Sequence, residues 1–136
     1  MYFKGIKMTV TPIYAGLITL LFIVLSFKVF GARGTAKVSL GDDGGKHEQL
    51  TRTLRAHGNF TEYVPLVLIL MALAELAQAP VLLVHAIGVV ILVGRLMHAY
   101  GISQIPQVTK LRYYGTVFTM LALLSGALTN LAMVII

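Results

Sequence analysis

Three stretches of this chain, Met8–Phe27, Leu76–Gly94 and Tyr113–Ile136, contain no Asp, Glu, Lys or Arg. Each has about 20 residues, which as an α-helix covers the ~30 Å hydrocarbon core of a bilayer. A fourth apolar stretch, Phe60–Ala79, is interrupted by Glu62 and Glu75. In water such helices would be apolar on every face with nothing to cover them. Composition agrees, since 57% hydrophobic and 12% charged residues lie outside the range of soluble globular domains. The expected fold is an all-α integral membrane domain over 1–136, with spans near 11–30, 58–79, 80–100 and 113–136. Lys4 and Lys7 ahead of the first block also suit a signal peptide. That block is long for a signal core, and Gly34-Thr35-Ala36 is a poor cleavage site, so a retained span is expected.

Charge follows the topology. The first connection carries Lys28, Arg33, Lys37, Lys46, Arg52 and Arg55, and the third carries Lys110 and Arg112. The second, around Gln78-Ala79-Pro80, has no basic residue. The positive-inside rule puts connections one and three in the cytoplasm and both termini outside. The formal charge of +6 is therefore topogenic and does not predict a nucleic-acid partner. The chain has no cysteine, which excludes disulfides, thiolate metal sites and a cysteine nucleophile. Any thiol chemistry must use a thiol that the substrate brings. Asp42-Asp43-Gly44 lacks the other oxygen ligands of a calcium loop and predicts a turn before a helix, so no metal site is expected. Pro80 and Pro106 punctuate short connections, which predict antiparallel neighbours in a four-helix bundle. Ala122, Ser125, Gly126 and Thr129 would let helices approach closely.

The second span carries the chemistry. At about 100° per residue, Glu48, Arg52, Arg55, Asn59 and Glu62 fall within about 80° of arc, with Tyr63 at the edge. His57 and Glu75 project from the other side. Facing lipid, each ion at mid-bilayer would cost about 2.5–3.5 kcal/mol, so the stripe must face an interior, another subunit or a wet cavity. One reading is an internal salt-bridge ladder linking Arg55 and Glu62 through Asn59. The other is a ligand site, because buried ion pairs seldom stabilise more than packed apolar residues do. Beyond the stripe, Glu75 is expected at a solvated helix end, and His85 as a buried, hydrogen-bonded histidine.

"RTLRAHGNFTEYVP" resembles the second-helix signature of the MAPEG superfamily, the membrane-associated proteins of eicosanoid and glutathione metabolism. Its Arg-x-x-x-Asn-x-x-Glu pattern is met by Arg55, Asn59 and Glu62. Arg52, Tyr63 and Pro65 match the leukotriene-synthase-like form, and "RAH" is similar to the glutathione transferases. "GDDGG", "HGNFTEY" and "GRLMHAYG" resemble short bacterial members. The resemblance implies a homotrimer in a bacterial inner membrane, with glutathione bound between subunits near the cytoplasmic side. Arg52 and Arg55 would grip its carboxylates, Glu62 its ammonium, and Asn59 an amide. Tyr63 would add a hydroxyl at the rim.

The family's thiolate-stabilising arginine corresponds to Arg112 in "TKLRYYGT", which equally suits a topogenic anchor. Arg95 and His98 in "GRLMHAY" resemble the prostaglandin-synthase-like segment, with Tyr100 offset by two residues from that branch's tyrosine. Arg33 resembles a basic residue that reaches glutathione from a neighbouring subunit. These parallels imply a glutathione-dependent transferase or peroxidase acting on lipophilic substrates from the membrane lipid. The alternative is a non-catalytic lipid- or glutathione-binding scaffold. A small multidrug exporter needs a carboxylate in its first span, and Thr11–Phe27 has none.

Overall fold

A computed structural model describes residues 7–135; Lys4 of the basic N-terminal flank and Ile136 at the end of the fourth span lie outside the described residues. Four helices follow one another: α1 (Thr11–Ala36), α2 (Glu48–Leu76), α3 (Val81–Ser103) and α4 (Thr109–Ile135). All four are long and apolar enough to cross a membrane. α1 continues beyond Phe30 to Ala36 before Lys37 closes it in the left-handed conformation (φ 56°). α2 starts at Glu48, a full ten residues before its apolar part at 58. Pro65 lies inside α2 without ending it, which a membrane helix tolerates when neighbours cover the freed carbonyl.

Contacts between the helices fix their directions. Ser26 of α1 meets His57 of α2, and Glu75, near the other end of α2, meets Thr9–Thr11 at the start of α1. α1 and α2 are therefore antiparallel. Arg52 reaches Ile102 and Arg95 reaches Asn59, so α2 and α3 are antiparallel too. The bundle is up-down-up-down, with the α1–α2 and α3–α4 connections at one end and the α2–α3 turn at the other.

α3 and α4 make the most extensive contact, because small residues let their backbones approach. A Cβ added at Gly115 would lie 2.7 Å from the Gly94 carbonyl and 2.8 Å from the His98 Cα. Of the expected small face of α4, Ala122, Gly126 and Thr129 are buried, with Gly126 against Leu70 of α2, while Gly115 and Thr119 form the seam with α3. Ser125, expected with them, is only half-buried. The core between α2 and the other helices is Ala56, Phe60, Val64, Val67 and Met71, with Ile87 and Ile91 of α3.

Candidate active site

The stripe on α2 opens onto a cavity of about 800 Å³ at the end of the bundle that holds the α1–α2 loop. Arg52, Arg55, Asn59 and Glu62 line it along α2. Arg33 enters from the last turns of α1, His98 from α3 and Arg112 from the first turn of α4. Residues separated by up to 79 positions thus share one wall because four helix ends converge there. His57 turns away, as its helical phase requires, and its Nε2 lies 3.1 Å from the Ser26 hydroxyl on α1.

Arg52 is tied down on two sides. Its Nη2 and Nε donate to Glu48 Oε1 at 2.6 and 2.9 Å, and its Nη1 donates to Gln107 Oε1 at 3.4 Å. Arg112 Nη1 donates to the same oxygen at 3.1 Å. Gln107 therefore joins the two guanidinium groups across the α3–α4 connection. Arg33 Nη1 donates to the Gly41 carbonyl at 2.9 Å, folding the loop inward so that Asp42 joins the lining. The Asp42 side chain also accepts from Gly44 N–H, which makes the expected turn ahead of α2. Arg55 and Glu62 make no side-chain hydrogen bond or ion pair among the described residues, so both remain available to a ligand.

Arg95 takes another position. It is 1% exposed and stands behind the cavity wall rather than in it. Its guanidinium donates to Asn59 Oδ1 at 3.0 Å and to Thr119 Oγ1 at 3.2 Å. It lies 3.1 Å from His98 Nδ1 and 5.7 Å from the centre of the Phe60 ring. With Nδ1 accepting from a guanidinium, the neutral imidazole carries its proton on Nε2. Arg95 thereby orients Asn59 and His98, the two neutral polar groups of the site. Tyr63 is half-buried and outside the lining, and Tyr100 is 56% exposed on another face of α3.

Glu75 is no freely solvated helix end: its carboxylate accepts from the backbone N–H groups of Thr9, Val10 and Thr11, capping α1 from outside the helix. His85 is half-buried, with its Nδ1 3.1 Å from the Tyr14 hydroxyl. Sequence reasoning passed over Gln107 and Thr119, and read Asp42 only as part of a turn. For Gln107 a signal existed, a lone amide in a short connection between two spans.

The model of the MAPEG family matches residues 11–132. The chain belongs to the MAPEG family. Among curated proteins it is similar to inner membrane protein YecN of Escherichia coli strain K12, 38% identical over 122 residues and 90% of each chain. It is equally similar to YecN of Escherichia coli O6:H1 strain CFT073, again 38% identical over 90% of each chain. No solved structure matches the chain. The MAPEG match spans every helix that contributes to the cavity, and this protein is a membrane protein of that family.

Proposed function

We propose that this protein is a glutathione-dependent transferase or peroxidase that stabilises the glutathione thiolate and directs it at a lipophilic electrophile or lipid hydroperoxide. One observation carries the proposal: Arg33, Arg52, Arg55, Asn59, Glu62, His98 and Arg112 line a single cavity. That lining holds four guanidinium groups and the carboxylates of Asp42 and Glu62. Glu48 neutralises part of Arg52 from outside, and the cavity keeps an excess of positive charge. Glutathione offers complementary groups, with two carboxylates, one ammonium and a thiol.

In this reading Arg55 and Arg52 hold carboxylates and Glu62 receives the ammonium. Asn59, held by Arg95, bonds an amide. Arg112 faces the sulfur. A free thiol with a pKa near about 8.5 is only a few per cent ionised at neutral pH, and a guanidinium beside it raises that fraction. His98 Nε2–H donates a further hydrogen bond to the sulfur or to the leaving group. Conjugation forms a carbon–sulfur bond as the leaving group departs. In peroxide reduction the thiolate attacks the terminal oxygen, forming a sulfur–oxygen bond as the O–O bond breaks and the lipid alcohol leaves. A second glutathione thiol then displaces water from that sulfenic acid to form the disulfide.

Family resemblance supports a homotrimer, and the name of the relative supports a bacterial inner membrane. The basic residues of connections one and three support a cytoplasmic side for the cavity. Tyr63, Tyr100 and Arg95, which do not line the cavity within one chain, would then act through a neighbouring subunit or by positioning others. A second reading, a lipid- or glutathione-binding scaffold of the same fold, keeps Arg55 and Glu62 useful but leaves Arg112 only as an anchor bonded to Gln107.

The test is a thiolate absorbance titration with glutathione on purified protein, comparing wild type with Arg112→Ala and Arg55→Ala. Wild type is expected to form thiolate. Arg112→Ala should bind glutathione yet lose the thiolate signal, with turnover falling about 100-fold, as for removal of one preorganised electrostatic donor. A wild type that binds glutathione without forming thiolate selects the scaffold, and one that binds none ends the enzyme reading and leaves only a lipid-binding scaffold.

A further inference from the structure

We infer that a second groove, separate from the arginine-lined cavity, binds the phosphate headgroup of an anionic membrane lipid. The groove has a volume of about 890 Å³ and lies between the end of α1, the first turns of α2 and the end of α3. Its origin is the way α1 and α3 diverge. At the opposite end they touch, where Tyr14 packs against Gly88 so closely that no Cβ fits there and bonds to His85. At this end they separate, with α2 as the floor of the wedge.

The level of the wedge in the membrane selects the ligand. Counting from Thr11, about 20 helical residues cross the ~30 Å hydrocarbon core, so Lys28 stands at its edge, where a lysine carries its amine toward the headgroups. Phe27 and Phe30 beside it are 68% and 64% exposed, as lipid-facing side chains are. Lys28 and Lys46 both line the wedge. Lys28 has no carboxylate within ion-pair distance among the described residues. Lys46 and His47 pair only with Asp43, at 3.6 and 3.8 Å and on the exposed side, an attachment weak enough for a phosphate to displace. Glu48 also lines the wedge, but Arg52 holds its carboxylate at 2.6 Å. The Gln104 amide supplies N–H donors and Ala32 and Ile105 form an apolar wall, while the Thr35 and Ser103 hydroxyls donate to the Gly31 and Ala99 carbonyls of their own helices. Cations and donors at headgroup depth, in a cleft open to lipid, match an anionic phospholipid rather than a zwitterionic one.

The test compares wild type with the double variant Lys28→Gln/Lys46→Gln and the control Lys110→Gln, which lies outside the wedge. Each is reconstituted in bilayers of phosphatidylcholine with or without phosphatidylglycerol. Lipid retained through detergent extraction is then counted by native mass spectrometry, and thermal stability is measured in parallel. Wild type and Lys110→Gln are expected to retain phosphatidylglycerol and to melt higher in its presence. The double variant should keep its melting temperature in pure phosphatidylcholine and lose retention by about fivefold per lysine, from the ~1 kcal/mol that a basic residue contributes at an anionic surface. Equal retention by wild type and double variant overturns the inference. So does equal retention of phosphatidylcholine, or equal protection by inorganic phosphate. A change in oligomeric mass without a change in lipid count overturns it as well, because a neighbouring copy then covers the wedge.

Discussion

The two ends of this bundle use the same kinds of polar side chain in opposite ways. Toward the α2–α3 end the two ionisable side chains of the spans, Glu75 and His85, meet partners from the chain itself. Glu75 takes three backbone N–H groups and His85 takes the Tyr14 hydroxyl. At the other end charged groups outnumber their partners, with Arg55 and Glu62 unengaged beside a cavity of about 800 Å³. A satisfied group inside a membrane protein holds helices together. An unsatisfied one at the mouth of a cavity is there for something that arrives. Polarity within a span therefore does not separate structure from function; the count of internal partners does.

Substitutions can break or sharpen that contrast. The largest effect is expected at the seam between the two roles. Arg95→Ala leaves Asn59, Thr119 and His98 without their shared donor, at a cost of ~3 kcal/mol, as when one partner of a buried charged network is removed. Thermal unfolding in detergent measures that loss, and a glutathione titration on the surviving fold should show weakened binding although Arg95 does not line the cavity. Next comes Gly115→Ala, whose Cβ would press on the Gly94 carbonyl and His98. Separating α3 from α4 should cost ~2 kcal/mol, with His98 displaced from the cavity. A variant as stable as wild type would show that the seam yields easily.

Arg55→Ala removes an arginine with no side-chain partner among the described residues. Melting should hardly move, while the glutathione dissociation constant rises about tenfold, the equivalent of ~1.4 kcal/mol for a charge-assisted contact. Glu75→Gln is the reverse case and the smallest. It keeps one acceptor for the start of α1 and loses the charge, so unfolding should shift by ~1 kcal/mol with glutathione affinity unchanged. If Glu75→Gln altered affinity, the two ends would be coupled and the contrast would fail.

Much of this was legible in the sequence because it follows from length and helical phase. Four apolar runs long enough to span a bilayer predict four helices. The spacing of Arg52, Arg55, Asn59 and Glu62 predicts one face, and the structure gives those four residues one cavity. Phase also had more to say than was drawn from it. Tyr100 lies two residues beyond His98, about 200° round the helix, and it is exposed away from the cavity accordingly. The depth of Arg95 was not legible. Its neighbours Asn59 and Thr119 come from other helices, and only the glycine-mediated approach of α3 and α4 sets how far in the guanidinium lies. Gln107 depends in the same way on the path of a short connection, which hydropathy does not describe.

The length of α2 has a consequence for traffic. Its 29 residues extend about 43 Å at 1.5 Å per residue, well beyond the ~30 Å that hydrocarbon requires. One continuous rod therefore begins among water and runs on through acyl chains to the far side, and the arginine-lined cavity sits along its first, wetter half. A hydrophilic molecule can dock there without shedding its hydration to cross an oily barrier. An oily molecule can slide along the lower flank of the same rod without ever entering water. Two compounds that share no common solvent can be introduced at the point where the helix changes phase.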